Sequence, residues 1–273
     1  MTIEELIVYG KKYLHSHEVN MLLSHILKYD LLELLNHLNE QVEQDKIDQF
    51  IQMVNQVKNQ VPIQYMLGSV NFYGLDFKVN KNVLIPRFET EELVEYTMKY
   101  IERLFPNKDI DIIDLGCGSG NIGITLKKKI PNAKVSCIDI SEEALIVAKE
   151  NASSLQADIT FIKSDMLDDI YSKFDVIISN PPYISPDEQI EDIVKNNEPN
   201  LALFADNNGL YFYEKILSTC EENLNEKFLI AFEIGMTQRD CVTELAHKYL
   251  NNVKIECKKD LSGKDRMIFI YNI

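Results

Sequence analysis

The stretch Ile110-Asp111-Ile112-Ile113-Asp114-Leu115-Gly116-Cys117-Gly118-Ser119-Gly120 decides the fold. Residues 110–115 form the apolar run of a buried strand. The glycines after it let the backbone turn sharply and approach a ligand closely, and a helix opens where they end. Working outward, residues 134–138, 159–162, 174–179 and 228–234 repeat the apolar run, with helical segments such as 142–152 and 211–222 between them. Near-continuous apolar strands alternating with helices predict a mostly parallel sheet covered on both faces, an α/β class. Residues 253–257 and 267–271, joined by the turn Asp260-Leu261-Ser262-Gly263, predict an antiparallel end and a total of seven strands.

Open sheets of this kind bind ligands outside the carboxyl ends of their strands. Asp114 adds negative charge under the glycine loop. Asp139 ends the second strand, placed to accept two hydrogen bonds from ribose hydroxyls. Asp165 ends the third, where its carboxylate or the nearby backbone can meet an adenine edge, and Met166 can pack on the ring. Gly118, Gly120 and Gly123 also satisfy G-x-G-x-x-G, the dinucleotide fingerprint. A pyrophosphate would need donors, however, and acceptors dominate here. The set suits a cationic nucleoside without phosphate, S-adenosylmethionine. The cofactor-binding candidates are Asp114, Gly116, Cys117, Gly118, Ser119, Gly120, Asp139, Asp165, Met166 and Asn180.

The fourth strand runs into Ser179-Asn180-Pro181-Pro182-Tyr183. Prolines have no N–H, so this turn offers carbonyl acceptors and few donors. The Asn180 side-chain oxygen adds another acceptor. Two converging acceptors suit a substrate NH₂ group, and Tyr183 can lie against a planar amide or base. A plain Pro-Pro turn with Tyr183 packed in the core is the bland alternative. Asn180, Pro181 and Tyr183 are the catalytic candidates, and Asn180 to Tyr183, Pro182 included, the substrate-binding ones.

Before the sheet, residues 1–62 read as a small helical bundle. Val19, Leu22, Leu23, Ile26 and Leu27 make one apolar stripe, and Ile47, Phe50, Ile51 and Val54 another, in a helix that Asp45 would cap. The bundle is a partner-docking cap or a passive extension. Residues 63–85 read as a β-hairpin linker, and residues 86–273 as the domain that carries the chemistry. Thr90 is placed to cap its first helix.

Lysine and arginine total 28 against 43 acids, a net charge of −15 over 273 residues. That argues against a protein that grips nucleic acid through its phosphates. No apolar run approaches the roughly 20 residues of a membrane span, and the N-terminus lacks signal-peptide features. Five scattered cysteines without a C-x-x-C pair predict reduced thiols in the cytoplasm. Four of the five histidines lie early, at His15, His17, His25 and His37, without the further ligands a metal site needs, so no metal is expected.

With these residues in place, the chain resembles a known family. D-L-G-C-G-S-G at 114–120, with acids ending the next two strands, resembles the Rossmann-like class I S-adenosylmethionine-dependent methyltransferases. N-P-P-Y at 180–183 is similar to the motif of enzymes that methylate planar NH₂ groups: adenine, guanine and glutamine amide. Pro62-Ile63-Gln64-Tyr65-Met66-Leu67-Gly68, Ile85-Pro86-Arg87-Phe88-Glu89-Thr90-Glu91, Glu198-Pro199 and residues 259–266 resemble the peptide chain release factor glutamine methyltransferases (HemK/PrmC), essentially over the whole chain. The resemblance implies N5-methylation of the glutamine in the Gly-Gly-Gln motif of class 1 release factors. It also implies a release factor as partner; from the charge balance no direct nucleic-acid contact is expected, and the chain is expected to be a monomer. The chain departs from the family at Phe88, where a proline is usual, and at Ala205-Asp206-Asn207-Asn208-Gly209, which is less glycine-rich. A nucleic-acid amino methyltransferase and a non-catalytic cofactor-binding scaffold are the rival readings.

Overall fold

Local capping chemistry starts the first three helices. The computed structural model describes residues 1–272 and divides into two units, Met1–Ser69 with Ile190–Asn197, and Val70–Gln189 with Glu198–Ile273. In the first unit, Thr2 and Glu5 exchange side-chain-to-backbone hydrogen bonds at the start of α1 (Ile3–Gly10). Glu18 accepts from the His15 N–H at the start of α2 (Ser16–Leu27), and Asp30 and Glu33 close a capping box on α3 (Leu31–Asn36). Each such cap stabilises its helix by about 1 kcal/mol. α4 (Gln44–Lys58) begins one residue before Asp45, with Glu43 as its N-cap, so Asp45 lies in the first turn and does not cap. Leu6, Val19, Leu22, Leu23, Phe50 and Val54 are fully buried and form this unit's core. The segment Ile190–Asn197 belongs here, and Asn197 donates to the Gln60 carbonyl at 2.8 Å.

The stretch after Pro62 opens on a further helix, α5 (Ile63–Leu67), before the hairpin of β1 (Ser69–Phe72) and β2 (Leu75–Lys78). Its two turn residues, Tyr73 and Gly74, both have positive φ, the geometry that matches the twist of a two-residue hairpin.

The second unit is built on seven strands: β3 (Asp111–Leu115), β4 (Lys134–Asp139), β5 (Ile159–Lys163), β6 (Phe174–Ser179), β7 (Leu224–Glu233), β8 (Lys254–Lys259) and β9 (Asp265–Tyr271). Their order is β5-β4-β3-β6-β7-β9-β8. The first five are parallel, and β9 runs antiparallel to both neighbours, as the sequence predicts. Strand alternation sorts the side chains onto two faces. Ile112, Val176, Ile178, Leu229 and Ala231 pack with Leu93, Val94 and Ile101 of α6 (Phe88–Leu104), with Ile122 and Ile124 of α7 (Asn121–Lys129) and with Leu145 and Ala148 of α8 (Glu142–Ser154). Ile113, Ile177, Ile230 and Phe232 pack on the other face with Tyr213, Ile216 and Leu217. Each fully buried aliphatic side chain contributes roughly 1.5–3 kcal/mol. After β5 the chain crosses back over β3 to form β6, so the order reverses between these two strands. A crevice opens beyond their carboxyl ends, just past Leu115 and its register partners Ile138 and Ser179.

Candidate active site

Three strand ends supply the crevice: the glycine loop after β3, Asp139 at the end of β4 and Asn180 after β6. Asp139 Oδ2 accepts the Gly118 N–H at 2.8 Å, and Oδ1 accepts the Ser141 N–H at 2.9 Å. Ser141 in turn caps α8 by accepting from Ala144. The carboxylate is thus held against the loop, and each oxygen keeps a lone pair for a ligand hydroxyl. Burial holds its pKa above the ordinary value despite these donors.

A cavity of about 210 Å³ lies over these residues. Leu84, Gly116, Gly118, Asp139, Ile140, Asp165, Met166, Asn180, Pro182 and Phe212 are among its lining residues, and no lysine or arginine lines it among the described residues. Carboxylates and apolar walls fit a positively charged, phosphate-free nucleoside better than a pyrophosphate. S-adenosylmethionine therefore passes on the chemistry of the residues present. A smaller recess is lined by Pro86, Arg87, Thr90, Cys117, Ser119, Asn121 and Ile122, and shares Leu84, Gly116, Gly118 and Asn180 with the cavity. Asn180 is thus part of the wall common to both.

Other candidates lie elsewhere. Asp114 is fully buried and lines neither cavity. Its Oδ2 accepts the Gly123 N–H at 2.9 Å, while its Oδ1 has no partner among the described residues. Burial pushes its pKa up to about 7. Gly123 allows this approach, since a Cβ there would stand 2.4 Å from Cys137 Sγ. Asp114 therefore braces the start of α7 beneath the loop and reaches neither cavity. Gly120 likewise lines neither cavity; it has φ +79° and is the N-cap of α7. The Asp165 carboxylate borders the cavity but pairs with Lys215 Nζ at 2.6 Å, so its side chain is already engaged. Cys117 and Cys137 are buried free thiols. Cys117 is pushed up by the neighbouring Cys137 and by burial, which makes it a packing group rather than a nucleophile.

The turn that begins at Asn180 is held from behind. Asn180 Nδ2 donates to Thr90 Oγ1 at 3.1 Å, and Thr90 Oγ1 donates to Glu233 Oε2 at 2.6 Å. Thr90 does not cap α6, whose N-cap is Arg87; it reaches across the sheet end instead. Tyr183 donates its hydroxyl to Glu233 Oε1 at 3.4 Å and packs on the core, while its carbonyl accepts from Gln238 Nε2 at 2.9 Å. Gly209 passes so close to that carbonyl that a Cβ would stand 2.0 Å from it. Asn207 and Asn208, beside it, take left-handed φ as asparagine tolerates. Tyr183 and Pro181 line neither of these two cavities, whereas Asn180 lines both and Pro182 the larger. Burial pushes Glu233 up to about 7.

Thr90 and Glu233 were missed by the motif reading. Glu233 does leave a signal, a carboxylate closing the wholly apolar run Phe228-Leu229-Ile230-Ala231-Phe232. Glu198, only 6% exposed, accepts from the Ile85 N–H at 3.1 Å and from Arg87 Nη2 at 2.5 Å. It thereby ties the loop carrying Leu84 to the segment carrying Pro199 and Leu201, two walls of the cavity.

Comparison with known proteins places the chain in a family. Residues 89–201 match the methyltransferase small domain, and residues 5–68 match the PrmC N-terminal domain. A release factor glutamine methyltransferase of Bacillus anthracis is 39% identical over 91% of this chain and 90% of its own length. One from Flavobacterium psychrophilum is 43% identical over 92% of this chain and 85% of its own. Among solved structures, a methyltransferase from Pyrococcus furiosus superimposes with a TM-score of 0.54 at 19% identity, covering 74% of this chain and 91% of that one, which supports the fold. At this identity, carried from the helical unit through the sheet, the chain belongs to the release factor glutamine methyltransferase family.

Proposed function

We infer that this chain transfers the methyl group of S-adenosylmethionine to the side-chain amide nitrogen of the glutamine in the Gly-Gly-Gln motif of class 1 release factors. The observation that carries the reading is the position of Asn180 on the wall shared by the two cavities, with its Nδ2 committed to Thr90. The Asn180 oxygen is the branch left for a ligand.

The cofactor supplies an electrophilic methyl carbon on a sulfonium. Asp139, with Gly116, Gly118 and Met166, would hold it, the Asp139 carboxylate taking the ribose hydroxyls. A carboxamide nitrogen is a poor nucleophile because its lone pair is delocalised into the carbonyl. Asn180 Oδ1 accepts one of its two hydrogens, and the carbonyl of Pro181, the next residue along the turn, is the acceptor proposed for the other; together they raise electron density on nitrogen and aim the lone pair. Fixed acceptors also stabilise the positive charge that develops there, the logic of an oxyanion hole with its sign reversed. Pro182 and Leu84, which line the cavity, are the walls proposed to border the amide plane, and Tyr183 anchors the turn. Holding the partners in line supplies much of the remaining acceleration. The methylated amide cation is strongly acidic and loses its proton without a dedicated base.

The test is transfer of label from S-adenosylmethionine to a purified release factor, with the modified residue mapped. Label should fall on that glutamine and vanish when it is replaced by alanine. Label on ribosomal RNA instead would move the chain to the nucleic-acid amino methyltransferases.

A further inference from the structure

Thr90 and Glu233 are each only 2% exposed, and Glu233 lines neither cavity. Neither is accounted for by cofactor binding. Glu233 follows Phe232, the register partner of Ser179, so it lies beside the start of the amide-binding turn. We propose that Glu233 and Thr90 are positioning residues: the chain Glu233–Thr90–Asn180 fixes Asn180 with its oxygen towards the substrate and makes that oxygen a stronger acceptor.

The argument is one of hydrogen-bond direction. An ionised carboxylate only accepts. It therefore takes the single hydrogen of the Thr90 hydroxyl, at 2.6 Å. With its hydrogen committed, Thr90 can only accept, and Asn180 must turn an N–H towards it, at 3.1 Å. The amide has two branches, so Oδ1 is then the one presented to the substrate NH₂. Charge-assisted bonds polarise their neighbours, which deepens the negative charge on that oxygen.

A protonated Glu233 reverses the chain. It can donate to Thr90, which can then donate to Asn180 Oδ1. The flipped amide would set its own hydrogens against those of the substrate. The groups facing Glu233 are Tyr183 from the turn, Arg266 from β9, Glu89 from the first turn of α6 and Thr90. Tyr213 donates to its backbone carbonyl at 2.8 Å. Arg266 is itself shared with Asp260 and the Ile234 carbonyl. Burial outweighs these partners and lifts Glu233 to about 7, so the two directions exchange near neutral pH.

This inference rests on Asn180 as the amide acceptor, and the test separates the two. Single-turnover rates and cofactor affinity are measured for Thr90→Val, Thr90→Ser, Glu233→Gln and Asn180→Ala with a purified release factor. Thr90→Val should lower the rate about 10–100-fold with cofactor Kd within about threefold, and Thr90→Ser should recover most of the loss. Glu233→Gln should flatten the rise of the rate with pH seen in the unmodified enzyme. Thr90→Val at full rate, with Asn180→Ala inactive, overturns the inference and leaves the proposed function standing. Full rate in both removes the reading beneath it. Should Thr90→Val not fold, the unmodified enzyme decides: a rate that climbs through about pH 7 supports the chain, and one flat from about pH 6 to about 8.5 overturns it.

Discussion

Asn180 is bonded through its Nδ2 to Thr90, ninety positions earlier in the chain, at 3.1 Å. The contact joins the end of the fourth sheet strand in sequence to the first helix of the sheet unit. It makes the orientation of one side-chain amide a property of the fold. In the proposed reaction the substrate NH₂ needs acceptors, and a flipped asparagine would offer donors.

Replacing Asn180 by alanine should leave cofactor affinity near its original value. It should lower turnover roughly 10²–10³-fold, the scale of losing one positioned electrostatic group. Isothermal titration and single-turnover assays check the two halves separately.

Asp139→Ala should weaken cofactor binding by about 1.5–3 kcal/mol, the range for hydrogen bonds to a charged group. The Gly118 and Ser141 N–H groups lose their acceptor as well, so the glycine loop should become more mobile. Calorimetry with S-adenosylmethionine, together with amide exchange at residues 116–120, would register both effects.

Glu198→Ala should destabilise the sheet unit by about 1–3 kcal/mol. It leaves the Ile85 N–H and the Arg87 guanidinium without their shared acceptor, and the half-exposed arginine recovers part of the loss from water. Cofactor affinity should fall with it, since the two tied segments wall the cavity. Urea denaturation beside cofactor titration measures the two.

Asp114 makes the pH dependence of stability testable. Its folded pKa, about 7, lies above the ordinary carboxylate value. Between about pH 4 and pH 7 the folded chain keeps a proton that the unfolded chain has lost, so this group's contribution falls as pH rises through that window and is level above it. Asp114→Asn removes the titration. Its stability relative to the unmodified chain should therefore rise between about pH 5 and pH 8, by an amount on the order of 1–4 kcal/mol. Urea midpoints of the two proteins at several pH values provide the comparison, and a difference independent of pH would assign the buried proton elsewhere.

The sheet was legible because buried parallel strands must be apolar on both faces, which leaves runs such as Val176 to Ile178 and Phe228 to Phe232 unmistakable. The crevice was legible because glycines, Asp139 and Asn180 all fall at strand ends. Asp114 lies under the glycine loop as read, but spacing cannot say that the Gly123 N–H holds it there and that it lines neither cavity. Nor can it tell a cap from a long-range partner: Thr90 has the residue type of an N-cap, but Arg87 holds that position and Thr90 meets Glu233, 143 positions away. Its place in the turn at a strand end suggested that Tyr183 lies against a ligand; its hydroxyl reaches the buried Glu233 carboxylate and its ring packs on the core, the alternative also weighed from the sequence.

The central claim is that the turn at Asn180 and Pro181 accepts both hydrogens of a glutamine amide. A crystal structure with S-adenosylhomocysteine and a peptide containing Gly-Gly-Gln tests it most directly. The account predicts the glutamine nitrogen within about 2.7–3.2 Å of both Asn180 Oδ1 and the Pro181 carbonyl, facing the sulfur of the cofactor. A glutamine amide bound elsewhere, or an Asn180 that points its nitrogen at the substrate, would contradict it.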